Sequence, residues 1–219
     1  MTGEHSSGLD RVWFELDTEL AAGLDALGLA LADTQRFDLL RYLALLKRWN
    51  KAYNLTSIDE PVEMVARHLL DSLSIQPFLQ GTGIMDSGTG AGLPGVPLAI
   101  AAPERSFRLV DGNGKKIRFL RQVRRELGLT HVLPIHSRLE DLPLEPLPDT
   151  ITARALAPLA RLVDWHERWL AAGACLLAMK GRIDEKEISA VPAAYNVELV
   201  DLEVPGLGAR RSLAIITRP

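Results

Sequence analysis

The residues best suited to chemistry crowd into positions 82–95, TGIMDSGTGAGLPG, where Asp86 and three glycines, Gly88, Gly90 and Gly92, alternate. Gly90-x-Gly92-x-x-Gly95 also matches the dinucleotide fingerprint. Glycines let a backbone turn sharply and approach a ligand, so such a run between a strand and a helix reads as a cofactor loop. A diphosphate seeks a helix N-terminus free of negative charge. The Asp86 carboxylate, two residues ahead of the first glycine, opposes a diphosphate and suits a ligand that presents an ammonium group. Asp111 ends the next strand candidate, nineteen residues after Gly92. A carboxylate there can accept both hydroxyls of an adenosine ribose, which fits S-adenosylmethionine and a nicotinamide dinucleotide equally.

A second group is cationic. In KKIRFLRQVRREL, residues 115–127, a helix would place Ile117, Leu120, Val123 and Leu127 on one side and Arg118, Arg121 and Arg125 on another. Residues 105–138 hold nine Lys/Arg against two Asp/Glu, whereas residues 1–80 hold seven against twelve. With only Glu126 interleaved, the Arg face and Lys115 read as contacts for a phosphate backbone. There is no Pro-Cys nucleophile, no Asn/Asp-Pro-Pro-aromatic run and no metal-ligand cluster among the five histidines. A methyl acceptor would then be an atom already nucleophilic, such as a ring nitrogen lone pair, needing alignment and no general base.

The elements that must position these residues change character at residue 82. Upstream, Phe37, Leu40, Leu43 and Leu46 recur at threes with Trp49 extending the stripe, and a second helical segment runs from about Pro61 to Phe78. Downstream, strands are expected at 83–86, 106–110, 131–136, 150–153 and 174–179, with helices near 92–102, 114–127, 139–142 and 157–171. Two final strands, 195–204 and 212–217, flank Pro205-Gly206-Leu207-Gly208, so the last strand should insert antiparallel. The expectation is an α/β Rossmann-like class I S-adenosylmethionine-dependent methyltransferase fold: a mainly parallel seven-stranded sheet with an antiparallel last strand (residues 81–219), carrying an N-terminal helical extension (1–80).

Composition narrows the class further. At 47% hydrophobic and 24% charged the chain can bury a core. Its single cysteine, Cys175, lies in an apolar run and excludes an internal disulfide framework, which suits a reducing compartment. No leader-like N-terminus and no 18-residue apolar run occur, so a cytoplasmic protein without membrane attachment is expected.

Seven motifs together, RWNKAYNLTS (48–57), RHLLDS (67–72), the glycine loop with LPGVPLAI (93–100), KKIRFLRQV (115–123), SRLED (137–141), TARAL (152–156) and MKG (179–181), resemble the bacterial 16S ribosomal RNA guanosine-N7 methyltransferases, the glucose-inhibited division protein B family. The likeness runs colinearly from about residue 37 to the C-terminus; the first 35 residues carry no matching motif. It implies S-adenosylmethionine as cofactor and N7 of one guanosine in the decoding-region loop of 16S rRNA as target, met in small-subunit particles or assembly intermediates by a monomeric enzyme. Carried over by position, it implies cofactor contacts at Gly88, Leu93, Leu139, Glu140 and Arg154. Arg154 and Lys180 become positioning candidates near the target, and Arg67, His68 and Lys180 join the basic helix as RNA contacts. Trp49, Tyr53, Asn54 and Thr56 read as a helix end docked on the sheet, and His68 and Asp71 as a polar pair three residues apart. Ser87 stands where the family has an apolar strand residue, which would weaken local packing. Two other readings stay open: a nicotinamide-dependent oxidoreductase using Gly90 to Gly95 with Asp111, and a non-catalytic RNA-binding module on the same fold.

Overall fold

The computed structural model describes the backbone of residues 4–219, with side chains from Val12 onward. Helices α1 (Glu4–Ala26), α2 (Asp33–Tyr53) and α3 (Pro61–Met64) lead into a π-helical stretch, Val65–Leu70, and the short α4 (Asp71–Leu73). Then β1 (Gly83–Ser87), α5 (Gly95–Ala101), β2 (Ser106–Asp111), α6 (Gly114–Glu126), β3 (Val132–His136), β4 (Thr150–Arg154), α7 (Leu159–Leu170), β5 (Cys175–Lys180), α8 (Glu185–Ser189), β6 (Asn196–Leu202) and β7 (Arg211–Thr217) follow. The strands form one sheet in the order β3-β2-β1-β4-β5-β7-β6. All neighbours are parallel except β7, which runs antiparallel to both β5 and β6. This is the expected topology, with each strand within two residues of its anticipated bounds.

Both sheet faces are covered, so the strands read as nearly unbroken apolar runs. Ile84, Phe107, Leu109, Leu177 and Leu213 face a core shared with α1, α2, α5 and α6. Met85, Val110, Ile151, Leu176 and Ile216 face one built with α7. The N-terminal helices contribute Leu20, Leu39, Leu46 and Leu69 to the first of these, so the extension and the sheet share a continuous interior.

The stripe of α2 differs from the expected one. Phe37 is 58% exposed, and the buried face is Leu39, Leu40, Tyr42, Leu43, Leu45 and Leu46. Positions three apart drift by about 60° per step on a helix of 100° per residue, so a stripe counted in threes walks off its own face. Leu39, Tyr42 and Leu46, spaced three then four, hold it. Leu120, Ile117 and Val123 of α6 face inward as anticipated, and Phe119 is buried too. Its ring meets Tyr42 at 6.4 Å and Trp49 at 5.8 Å, centroid to centroid. The extension therefore docks on α6 as well as on the sheet.

Candidate cofactor and target site

The glycine loop turns through left-handed backbone at three points: Gly88 at φ 64°, Gly90 at 63° and Gly92 at 98°. A side chain is also excluded sterically at two of them. A Cβ on Gly88 would stand 2.5 Å from Leu156 Cδ1, and one on Gly92 2.5 Å from Val96 Cγ2. At Gly90 a Cβ would make only ordinary contacts, 3.9 Å from Gly88 O and Lys116 Nζ, so the backbone conformation alone demands glycine.

Asp86 does not face a ligand. Its carboxylate is fully buried and every contact is internal: Oδ2 accepts from the Thr89 hydroxyl at 2.5 Å and the Gly95 N–H at 2.9 Å, and Oδ1 accepts from the Thr152 hydroxyl at 2.9 Å. Thr152 is its direct neighbour across the β1–β4 pairing. Burial pushes its pKa up to about 6, with these donors pulling the other way. Asp86 thus holds the loop and the start of α5 against the sheet, and the ammonium-binding role expected of it is corrected to an anchoring one. Tyr42 supplies a second brace, its buried hydroxyl donating to Ala91 O at 2.9 Å. Nothing in the local sequence around the loop points to Tyr42; the signal is a tyrosine in a core stripe, whose hydroxyl must find an acceptor.

Asp111 stands at the position that the sequence gives it. It ends β2 and lines a cleft of about 330 Å³ with Gly88, Val110, Lys116, Leu139, Glu140, Leu156 and Trp165 among its walls. The volume and the mix of apolar walls with few polar groups suit a small-molecule site. Asp111 Oδ2 accepts from Gly90 N–H at 2.9 Å and Oδ1 from Asn113 N–H at 2.8 Å. Asn113, in turn, caps α6 through Lys115 N–H at 2.9 Å. Leu139 and Glu140 sit on a single 3₁₀ turn, Leu139–Asp141, whose Leu139 carbonyl accepts from Arg168 at 2.7 Å. Leu93 is buried and is not among the residues lining this cleft. Spacing in the sequence does not mark Lys116 or Trp165 as wall residues of this cleft.

Arg154 and Ala155, just ahead of Leu156 in the chain, line a separate, smaller pocket of about 230 Å³, bordered also by Arg67, Asp71, Lys180 and Arg211. Asp71 is 1% exposed. Its Oδ2 accepts from Arg154 Nη1 at 2.8 Å and its Oδ1 from Arg211 Nε at 2.6 Å. Arg154 Nη1 also donates to Arg67 O at 3.1 Å. The expected His68–Asp71 pair does not form. His68 is 3% exposed, and its Nε2 meets Thr56 Oγ1 at 2.9 Å. Burial, helped by Arg154, lowers its pKa to about 4. A neutral buried ring cannot touch RNA, so His68 leaves the contact set and stands as a brace for the RWNKAYNLTS segment. Lys180 is engaged by Glu187, whose Oε1 also accepts from Leu159 N–H.

The RWNKAYNLTS segment ends α2 as expected, but its ring and hydrogen-bond contacts run to α6 and to His68. Asn54 closes α2 in left-handed conformation at φ 50°, and Asn50 Oδ1 accepts from Thr56 N–H at 2.9 Å. Tyr53 OH accepts from Arg118 at 3.2 Å. Lys115, Arg118, Arg121 and Arg125 are all exposed on α6. Arg121, Arg124 and Arg125 surround a shallow groove with Gly128 and Thr130. Ser87 has a partner rather than a packing defect, since its hydroxyl reaches His166 Nε2 at 2.8 Å. Among the described residues no cluster of metal-ligating side chains occurs, and no helix is long and apolar enough to cross a membrane.

A seven-stranded sheet with reversed last strand, a glycine loop after β1 and an acidic end to β2 facing a cleft define a class I methyltransferase fold. Solved structures agree at this level. The magnesium protoporphyrin IX methyltransferase of Synechocystis PCC 6803 with bound SAM superposes with a TM-score of 0.57 at 15% identity, covering 86% of this chain and 98% of that one. TrmN from Thermus thermophilus gives 0.54 at 18% identity, covering 79% and 53%. Sequence places the chain more finely. The profile of the rRNA small subunit methyltransferase G family matches residues 35–214, and the chain belongs to that family. Ribosomal RNA small subunit methyltransferase G of Klebsiella pneumoniae subsp. pneumoniae is 46% identical over 199 residues, 90% of this chain and 96% of the relative. That of Escherichia coli O17:K52:H18 is 45% identical over the same shares. Membership in a methyltransferase family overturns the oxidoreductase reading of the Gly90–Gly95 frame.

Proposed function

We propose that the chain transfers a methyl group from S-adenosylmethionine to N7 of a guanosine in the decoding-region loop of 16S rRNA, with the cofactor in the Asp111 cleft and the target nucleotide in the Arg154 pocket. The carrying observation is that consecutive residues of one short segment, Arg154 to Leu156, line the two cavities. Leu156 lines the first, whereas Arg154 and Ala155 line the second. Ala155 turns that segment through left-handed backbone at φ 49°, a conformation that persists in a non-glycine residue only where its surroundings impose it.

The residues of the first cleft fit an adenosine. Asp111 offers a carboxylate to the ribose diol, Leu139, Val110, Leu156 and Trp165 offer apolar walls to the base, and Glu140 offers an edge acceptor. When bound, the cofactor supplies an electrophilic sulfonium methyl. The chain's own task is positional. Arg154 and Arg211, both fixed on Asp71, keep further N–H donors for a phosphate or carbonyl oxygen of the target. A guanine N7 lone pair carries no proton to remove, so the site would have only to align it with that methyl and would need no base. Arg67 and the α6 arginines extend the positive surface for flanking backbone. The same reading expects a cytoplasmic monomer acting on small-subunit particles or assembly intermediates.

Incubation with methyl-labelled S-adenosylmethionine and small subunits lacking the modification, followed by nucleoside analysis, tests the proposal. Label in 7-methylguanosine is expected. RNA binding without label would instead favour the non-catalytic module.

A further inference from the structure

Behind the wall of the cofactor cleft, Ser87 and His166 are both fully buried. His166 Nδ1 lies 2.6 Å from the Leu162 carbonyl, which can only accept, so Nδ1 carries the ring proton and donates. Nε2 is then a lone pair, and the Ser87 hydroxyl, 2.8 Å away, donates to it. Burial keeps the imidazole neutral, lowering its pKa to about 4. The bond joins the last residue of β1 to the middle of α7. Each partner is the chain neighbour of a cleft-lining residue: Gly88 follows Ser87, and Trp165 precedes His166.

We propose that Ser87 and His166 form a positioning pair that sets the spacing between the glycine loop and the Trp165 wall, and so the affinity for the cofactor. The pair rests on the reading of this cleft as the S-adenosylmethionine site. Its effect is carried by backbone on both sides. The hydroxyl fixes where β1 ends and Gly88 begins its left-handed turn; the imidazole fixes how close α7 holds its indole. Neither residue touches the cleft.

The test compares wild type with Ser87→Ala, Ser87→Val, His166→Leu and the double Ser87→Val/His166→Leu. Calorimetry measures the Kd for S-adenosylhomocysteine, and turnover on small subunits gives KM for the cofactor and kcat. Each single change leaves one buried polar group without its partner, so affinity should fall about tenfold with kcat at saturating cofactor within about twofold. The double change puts an apolar pair in the same space and should recover affinity to within about threefold. Singles that bind like wild type, a double as weak as the two singles combined, or a lowered Tm with unchanged Kd would each overturn the pair. If Ser87→Val does not fold, Ser87→Ala, which adds no bulk, carries the single-site measurement. Wild type that fails to bind S-adenosylhomocysteine would overturn the cleft reading, and the pair with it. That result is distinct from failure of the pair alone, in which wild type binds and the singles match it.

Discussion

The two cavities lined from the Arg154–Leu156 segment are built from different materials. The cofactor cleft is shaped by backbone: a loop of left-handed glycines, a strand end and a 3₁₀ turn, braced from below by a buried carboxylate and a tyrosine hydroxyl. The target pocket is shaped by charged side chains: Arg154 of β4 and Arg211 of β7 are cross-linked on Asp71 of α4, and Lys180 of β5, held by Glu187, stands beside them. A backbone site tolerates no added side chain but needs few particular ones. A side-chain site fails when a single link is removed, because its charges then lose both partner and direction.

The sharpest way to break the contrast is at Gly88. Gly88→Val must fit a Cβ against Leu156 in left-handed backbone. Affinity for S-adenosylhomocysteine should fall more than about 100-fold by calorimetry while circular dichroism shows a folded chain. Wild-type affinity would show that the loop does not shape the cleft. On the other side, Asp71→Asn keeps the shape and removes the charge that holds two guanidiniums. We expect kcat/KM for small subunits to drop about 100-fold, from the loss of a buried ionic partner, with cofactor affinity within about threefold. Equal loss of cofactor binding would mean that the two cavities are not separable.

This difference in material also explains what could be read from the chain beforehand. Gly88, Gly90, Gly92 and Asp111 lie within one strand-loop-strand unit, where spacing alone fixes geometry, so the turning loop and the acidic strand end are legible in the sequence, whereas only Gly88 and Asp111 of the four line the cleft. Asp86 was legible as important yet misassigned. Its direction depends on hydroxyls at Thr89 and Thr152, the latter supplied by a strand 66 positions away. The Asp71 network joins residues 83 and 140 positions apart, and periodicity carries no information at that range. Arg211 carries no local signal for that reason, and the i, i+3 spacing that suggests a His68–Asp71 pair cannot report that His68 is buried against Thr56. The Ser87 departure looked like a defect because its partner lies 79 positions downstream.

The buried titratable groups sharpen the comparison through pH. His68 and His166, lowered to about 4, stay neutral in the folded state, whereas in the unfolded chain they protonate near pH 6.5. The unfolded state therefore binds more protons below pH 6.5, and each histidine removes stability as pH falls from about 6.5 to 4, by up to about 3 kcal/mol. Asp86, raised to about 6, acts with opposite sign: the folded state holds its proton longer, so its contribution is lost as pH rises from about 4 to 6. Two histidines outweigh one aspartate. Urea unfolding of wild type and of Ser87→Val/His166→Leu at pH 4.5 to 6.5 should differ in slope by about one proton, with the double variant less acid-sensitive. Parallel slopes would mean that His166 is not held neutral.

The smallest effect concerns the surface that leads RNA toward the target pocket. Arg118 and Arg121 are exposed on α6 and lie outside both cavities, and Arg118 donates to the Tyr53 hydroxyl. If they meet phosphates, each releases counterions on binding, and the slope of log affinity against log salt should shrink by about 0.7 to 0.9 for each phosphate that is no longer neutralised. Arg118→Glu with Arg121→Glu should therefore weaken binding to small-subunit RNA and flatten that slope by about two such steps, with S-adenosylhomocysteine affinity unmoved. An unchanged slope would confine RNA recognition to the Asp71-linked pocket. A changed cofactor affinity would show instead that α6 transmits strain to Asn113 and the cleft, and that the two regions are less independent than their construction indicates.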